Sequence, residues 1–243
     1  MVEKRLGSDN CDDASCLLPG VAASADAVVA PTAASGSLLH YIYDPLCGWC
    51  YGAAPLLKAA REVDGLVIVM HGGGMMTGSN RRQVSAQLRN YVMPHDHRIA
   101  AMTGQVFGDG YFNGLLLDTT AIFDSEPPIT AVLAAEALAG RGLDMLARIQ
   151  TAHYVQGLRV SDVAVLHSLA LEMGLDAAAF DSEFAALGGA ATAAHIADSR
   201  ALLSQVGGQG FPTFVLQRGG KTEMLDIGHF LGQAAAWKAA LTS

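Results

Sequence analysis

Between Leu38 and Met70 the sequence changes period twice. Leu38 to Tyr43 is a short apolar and aromatic run. A helical stretch follows, with Leu56, Leu57, Ala60 and Val63 on one face. Leu66 to Met70 is a second run rich in β-branched residues. Strand, helix and strand in so short a span predict a parallel pair joined by a right-handed crossover. Asp44-Pro45 ends the first strand, because proline removes a ladder donor. Asp64-Gly65 marks the turn into the second. Pro55 lies inside the helical stretch and is expected to kink it.

The pattern then becomes helical. No strand is expected from about Asn80 to Val206. Ala131 to Ala139 reads as a helix stopped by Gly140, and Leu143 to Tyr154 as one stopped by Gly157. Ser161 is positioned to cap a helix that turns Val163, Leu166, Leu169 and Met173 inward. Asp176 caps another, with Phe180, Phe184 and Leu187 at i, i+4 and i+7. Thr192 starts a last one, ending near Val206. The period then returns to two: Thr213 to Leu216 and Thr222 to Asp226 read as a hairpin around Arg218-Gly219-Gly220-Lys221. Phe230, Ala234, Trp237 and Leu241 mark a terminal amphipathic helix. The predicted class is α/β: one four-stranded mixed sheet, helices on both faces, and an inserted all-helical subdomain. The boundaries are 37–79 for the first part (βαβ), 80–190 for the insertion and 191–243 for the second part (αββα).

Residues 1–36 differ from the rest. They are rich in Ala, Ser and Asp and contain no aromatic residue. Such a segment buries too little apolar surface to offset its ordering entropy, so a disordered tail is expected. Asp9, Asp12 and Asp13 and the early Pro19-Gly20 leave no apolar h-region of about 7–15 residues, so a cytoplasmic protein is expected. No apolar run approaches the ~18 residues of a membrane span. The formal net charge of −8, with no basic patch beyond Arg81-Arg82, argues against nucleic acid as a partner.

Cys47-Gly48-Trp49-Cys50 carries the strongest chemical signal. It stands between a predicted strand and a predicted helix, where Cys-x-x-Cys reads as a redox motif. At a helix N-terminus Cys47 meets unpaired backbone N–H groups that favour a thiolate. It is expected to be the nucleophile. Cys50, one turn on and more buried, is expected to attack a mixed disulfide at Cys47 and release the substrate. The competing reading, half a zinc site, lacks a second Cys or His pair at zinc spacing. Cys11 and Cys16 read as incidental tail thiols. No metal site is expected.

These residues resemble a known family. Cys47-Gly48-Trp49-Cys50 after a strand, Pro55, the helical insertion and Gly210-Phe211-Pro212-Thr213 together resemble DsbA-like thiol–disulfide oxidoreductases of the thioredoxin superfamily, in the cytoplasmic branch described as predicted protein-disulfide isomerases. The resemblance runs from about Leu38 to the C-terminus. It implies a thioredoxin-like fold and disulfide exchange with protein or peptide thiols, with a Cys47–Cys50 couple in place of a separate cofactor. Glutathione is a candidate thiol partner. The resemblance also implies that Pro212 is a cis-proline facing the active-site cysteines, and that Phe211 keeps a free backbone edge for an extended substrate. Gly48 and Trp49 carry neither charge nor imidazole, so the direction of electron flow stays open. Trp49 reads equally as a shield for Cys47 and as packing.

Weaker signals surround the motif. His95-Asp96-His97, after Met93-Pro94, reads as a loop triplet more often solvated than metal-binding. His71 is placed either to tune Cys47 or simply as a strand-end histidine. Met75, Met76 and Met93 suggest an adaptable apolar surface. Asp44 either influences the thiols or caps the turn at Pro45. Tyr43-Asp44-Pro45-Leu46-Cys47 is also similar to the start of kappa-class glutathione transferases and chromene-carboxylate isomerases, where a serine stands in place of Cys47. That alternative implies glutathione-dependent chemistry on a small molecule. A third reading is a non-enzymatic binding module. The joint presence of the motif, Pro55 and Pro212 argues against it.

Overall fold

The computed structural model describes residues 36–242. The expectations for the tail, Cys11 and Cys16 included, fall outside the described residues, apart from residue 36. Four strands, β1 (Ser37–Tyr43), β2 (Leu66–Gly72), β5 (Thr213–Arg218) and β6 (Lys221–Leu225), form a sheet in the order β2-β1-β5-β6. β1 pairs parallel with β2, from Ser37 opposite Leu66 to Tyr43 opposite Gly72. β5 runs antiparallel to both β1 and β6. The hairpin turn falls on Gly219 and Gly220, at φ 56° and 77°. Two consecutive positive φ values belong to the turn type that matches strand twist.

β1 is central, and that explains its unbroken apolar run: both of its faces are covered. Tyr41 and Tyr43 stack on one face, with ring centroids 5.1 Å apart, and Phe214 joins at 4.8 Å from Tyr41. Trp237 of the last helix, α9 (Ala234–Thr242), closes this side edge-on to Phe214. The helices α1 (Gly48–Gly52) and α2 (Ala54–Ala60) lie here too. Pro55 does more than kink a single helix. With no N–H to give, it falls in the first turn of α2, and the helix breaks at Ala53. α8 (Ala190–Gln205) covers the other face, where the His195 ring accepts from the Gly72 N–H at 2.9 Å.

The remaining helices are α3 (Ala86–Thr103), α4 (Glu126–Ala139), α5 (Gly142–Tyr154), α6 (Val163–Glu172) and α7 (Ala177–Leu187). α4 is apolar almost all round because it is the hub of this block, with Ile129, Ala131, Val132, Ala134 and Ala135 fully buried. It begins at Glu126, earlier than expected, since Pro127 and Pro128 fit a first helical turn. Asp176 caps α7 as expected, accepting from Ala179 N–H at 2.9 Å.

Four expectations are corrected. The 80–206 span holds a two-residue ladder, β3 (Arg82–Gln83) with β4 (Ile122–Phe123), too short to leave a period in the sequence. His95-Asp96-His97 is in the middle of α3, not in a loop, and Pro94 is accommodated inside that helix. Ser161 does not cap α6. Asp162 occupies that position, and Ser161 Oγ instead accepts from Asp124 N–H at 3.0 Å. Thr192 lies within α8, where its hydroxyl donates to Leu187 O, and Gly189 precedes the helix.

Candidate active site

The turn between β1 and α1 sets the two sulfurs. Asp44 is fully buried, and its carboxylate accepts from Leu46 N–H (2.8 Å), Met75 N–H (2.5 Å) and Ser125 Oγ–H (3.0 Å). Burial pushes its pKa up, and the three donors pull against that shift. Asp44 therefore does cap the turn at Pro45, and it also ties that turn to the segment after β2. Its own N–H points at Cys50 Sγ, 3.5 Å away.

Cys47 is the N-cap residue of α1, in extended conformation. Cys50 is one turn further and wholly enclosed, at 0% exposure against 7% for Cys47. Both are free thiols. Burial pushes the Cys50 thiol well up, and the neighbouring Cys47 sulfur and the Asp44 charge push it further. Cys50 is thus held protonated behind an outer sulfur-bearing residue that lines a cavity.

Phe211-Pro212, distant in sequence, faces them across the site. The Phe211–Pro212 bond is cis, and the Cys47 thiol donates to Phe211 O at 3.3 Å. Pro212 brings no N–H, β1 pairing starts only at Thr213, and the Phe211 N–H has no backbone partner among the described residues. The Phe211 ring lies over Gly73, where a Cβ would come within 2.1 Å of it. A side chain at residue 73 would displace the ring, so the end of β2 and the cis-proline loop fit only through that glycine.

Trp49 is partly buried, with the Arg98 guanidinium 5.7 Å from its ring centroid. Gly48 owes its identity to packing. A Cβ there would stand 2.7 Å from Asp96 Oδ1 and 3.0 Å from Ile99 Cδ1. A cavity of about 350 Å3 opens beside Cys47, Gly48 and Trp49, walled by Met75, Met76 and residues of α3 and α5. Its size and apolar lining suit a small organic molecule or a side chain. Met75 and Met76 line this cavity and Met93 does not; all three are partly buried and pack against the core.

His71 does not meet Cys47. It projects to the α8 side of the sheet, its Nε2 3.0 Å from His40 Nδ1. Desolvation, with His40 and His195 nearby, lowers its pKa to about 4. The histidines of the α3 triplet serve aromatic contacts, His95 with Tyr91 and His97 with Phe112. Among the described residues no group of metal-ligating side chains forms a site. Tyr111, His153 and Tyr154, which line the cavity, escaped the sequence reading as site residues, and Asp96 entered it only as the middle of a loop triplet. The one trace available was the glycine at position 48, which marks a close approach by another element.

Residues 39–232 match the family model of the DSBA-like thioredoxin domain. Among solved structures, the cytosolic disulfide reductase DsbM from Pseudomonas aeruginosa shares 57% identity at a TM-score of 0.80, over 84% of this chain and 96% of that one. A structure of the same protein with GSH shares 55% identity at a TM-score of 0.79, with the same coverage. A candidate protein disulfide isomerase from Nitrosomonas europaea shares 25% identity at a TM-score of 0.70, over 85% of this chain and 97% of that one. No sequence among the curated proteins matches the chain.

Proposed function

Because the chain belongs to the DsbA-like thioredoxin-domain family and is a thiol–disulfide oxidoreductase, we propose that it works as a cytosolic reductase, taking electrons from glutathione and passing them to disulfides of proteins or peptides through Cys47 and Cys50. The observation that carries this reading is the paired geometry of the two sulfurs. Cys47 faces Phe211 O at the wall of a cavity, and Cys50 lies wholly enclosed one turn behind it. Support for the direction and for glutathione comes from the 57% identity to a cytosolic disulfide reductase, one structure of which holds GSH.

The steps follow from access. The Cys47 thiolate attacks a substrate disulfide R–S–S–R′, so that a Cys47–S–S–R bond forms and R′S⁻ leaves and takes up a proton. Cys50 loses its proton and attacks Cys47 Sγ, closing the Cys47–Cys50 disulfide and expelling RS⁻. One glutathione thiolate then opens that disulfide at Cys47, and a second releases oxidised glutathione and restores both thiols. Two electrons move per cycle, and the sulfurs carry both, so no bound cofactor enters. Phe211 offers its free N–H to an extended substrate backbone, and Pro212 keeps the strand beyond from competing for it. Gly48 and Trp49 form the floor and rim beside Cys47.

A glutathione redox titration tests this reading, with each thiol read by alkylation and mass spectrometry. Cys47 and Cys50 are expected to titrate together as one internal disulfide. If Cys47 only acquires glutathione and no internal disulfide forms, the couple is not the mechanism, and glutathione-dependent chemistry on a small molecule takes its place.

A further inference from the structure

The cavity beside Cys47 holds an ionisable group that the exchange steps above leave unused. Asp96 projects from α3 at 4% exposure and lines the cavity together with Cys47 and Gly48. Its Oδ2 accepts from Tyr111 Oη–H at 3.0 Å. Its Oδ1 is aimed at the start of α1, over Gly48, and no donor reaches it among the described residues. Asp44 provides the contrast. It is wholly buried, and three donors satisfy it, as suits a carboxylate that fixes a turn. A largely buried carboxyl that takes a single side-chain hydrogen bond, at the wall of a cavity that Cys47 also lines, is arranged for a ligand or for proton transfer.

We propose that Asp96 is the acid–base residue for exchange at Cys47: its carboxyl protonates the sulfur that leaves when Cys47 attacks a disulfide seated in the cavity, and its carboxylate takes the proton back from the incoming reducing thiol. This rests on Cys47 being the attacking sulfur. The step balances. The S–S electron pair goes to R′S⁻, the carboxyl proton neutralises it as R′SH, and the glutathione thiol returns that proton to Asp96 as it becomes the attacking thiolate. Burial supports the role, holding Asp96 up at about 7, where both protonation states are populated near neutrality. The titratable and charged groups facing it or sharing its cavity are Tyr91, Tyr111, Tyr154, His153, Cys47, Arg82 and His95. Burial keeps His153 neutral, with its pKa lowered to about 3.

Three probes of Cys47 separate this role from others, because they differ in the leaving group. Glutathione disulfide expels a basic alkyl thiolate that benefits from an acid. An aromatic disulfide such as 5,5′-dithiobis(2-nitrobenzoate) expels a weakly basic thiolate, and iodoacetamide expels iodide; neither needs a proton. Asp96→Asn preserves the acceptor for Tyr111. At pH 7 it is expected to slow reaction with glutathione disulfide tenfold or more, while rates with the other two probes stay within twofold. The wild-type inflection near pH 7 in the glutathione disulfide profile should vanish. Equal slowing with all three probes would mean that Asp96 acts on Cys47 itself and overturns the proposal, as would unchanged rates throughout. If wild-type Cys47 reacts with iodoacetamide but not with glutathione disulfide, the exchange reading has failed, independently of Asp96.

Discussion

Gly73 shows how much of the site rests on single atoms. Its N–H donates to Tyr43 O at 2.7 Å, and the Phe211 ring occupies the space of its missing side chain. Gly73→Ala is expected to lift the Phe211 ring and with it the carbonyl that accepts from Cys47. The expected loss in kcat/KM for disulfide reduction is about tenfold to a hundredfold, since misplacement near 1 Å costs that much. Steady-state assays checked against far-UV circular dichroism would show it; a variant with wild-type kcat/KM would refute the coupling. The two cysteines were legible in the sequence because their relation is local, one helical turn in four residues. Asp96 was not, because its partner at residue 48 is far away in the chain and two histidines flank it. With those neighbours and Pro94 before them, the three residues read as a solvated loop, while α3 turns only the middle one inward.

Among the elements, α3 was the least legible. Pro94 lies inside it, where the sequence argues against a helix, and only Asp96 and Ile99 are buried, so no apolar stripe announces an 18-residue helix. β1, β5 and the terminal helix were readable because each buries consecutive or regularly spaced apolar residues, and β6 because the paired glycines mark its hairpin. The short turn Gly110–Gly114, which carries Tyr111, has no periodic signal at all. It is fixed from outside. Gly157, at φ 69°, presses on its backbone so closely that a Cβ would come within 1.9 Å of Gly110 O. Gly157→Ala combines a strained φ with a backbone clash, and a loss of roughly 2–4 kcal/mol is expected. Urea unfolding measures that loss, and a change below about 0.5 kcal/mol would show that the two segments do not depend on each other.

Over the whole molecule, buried titratable groups pull stability in opposite directions with pH. Asp96 has a folded pKa of about 7, above that of an unfolded aspartate. Its contribution is fully present below about pH 4 and is lost as the pH rises towards 7. His153 and His71 have folded values of about 3 and 4, below the usual histidine value. Their contributions are present above about pH 6.5 and are lost as the pH falls through that window. Between pH 6.5 and 4 the two effects oppose each other, each changing stability by up to about 1.4 kcal/mol per pH unit. His153→Phe should therefore flatten the fall in stability between pH 7 and 4.5, and Asp96→Asn should steepen it. Denaturant titrations at pH 7, 5.5 and 4.5 compare the slopes. Parallel curves for all three proteins would contradict the assignment.

The seclusion of Cys50 also governs how the protein ages. A peroxide that reaches the site meets Cys47 first and converts it to a sulfenic acid. Further oxidation to the sulfinic and sulfonic acids is an irreversible loss. A second thiol one turn behind, sealed from the peroxide yet adjacent to the damaged sulfur, intercepts the sulfenic acid as an internal disulfide and expels water. The burial that orders the catalytic steps thus also turns an injury into an ordinary, reducible state of the same molecule.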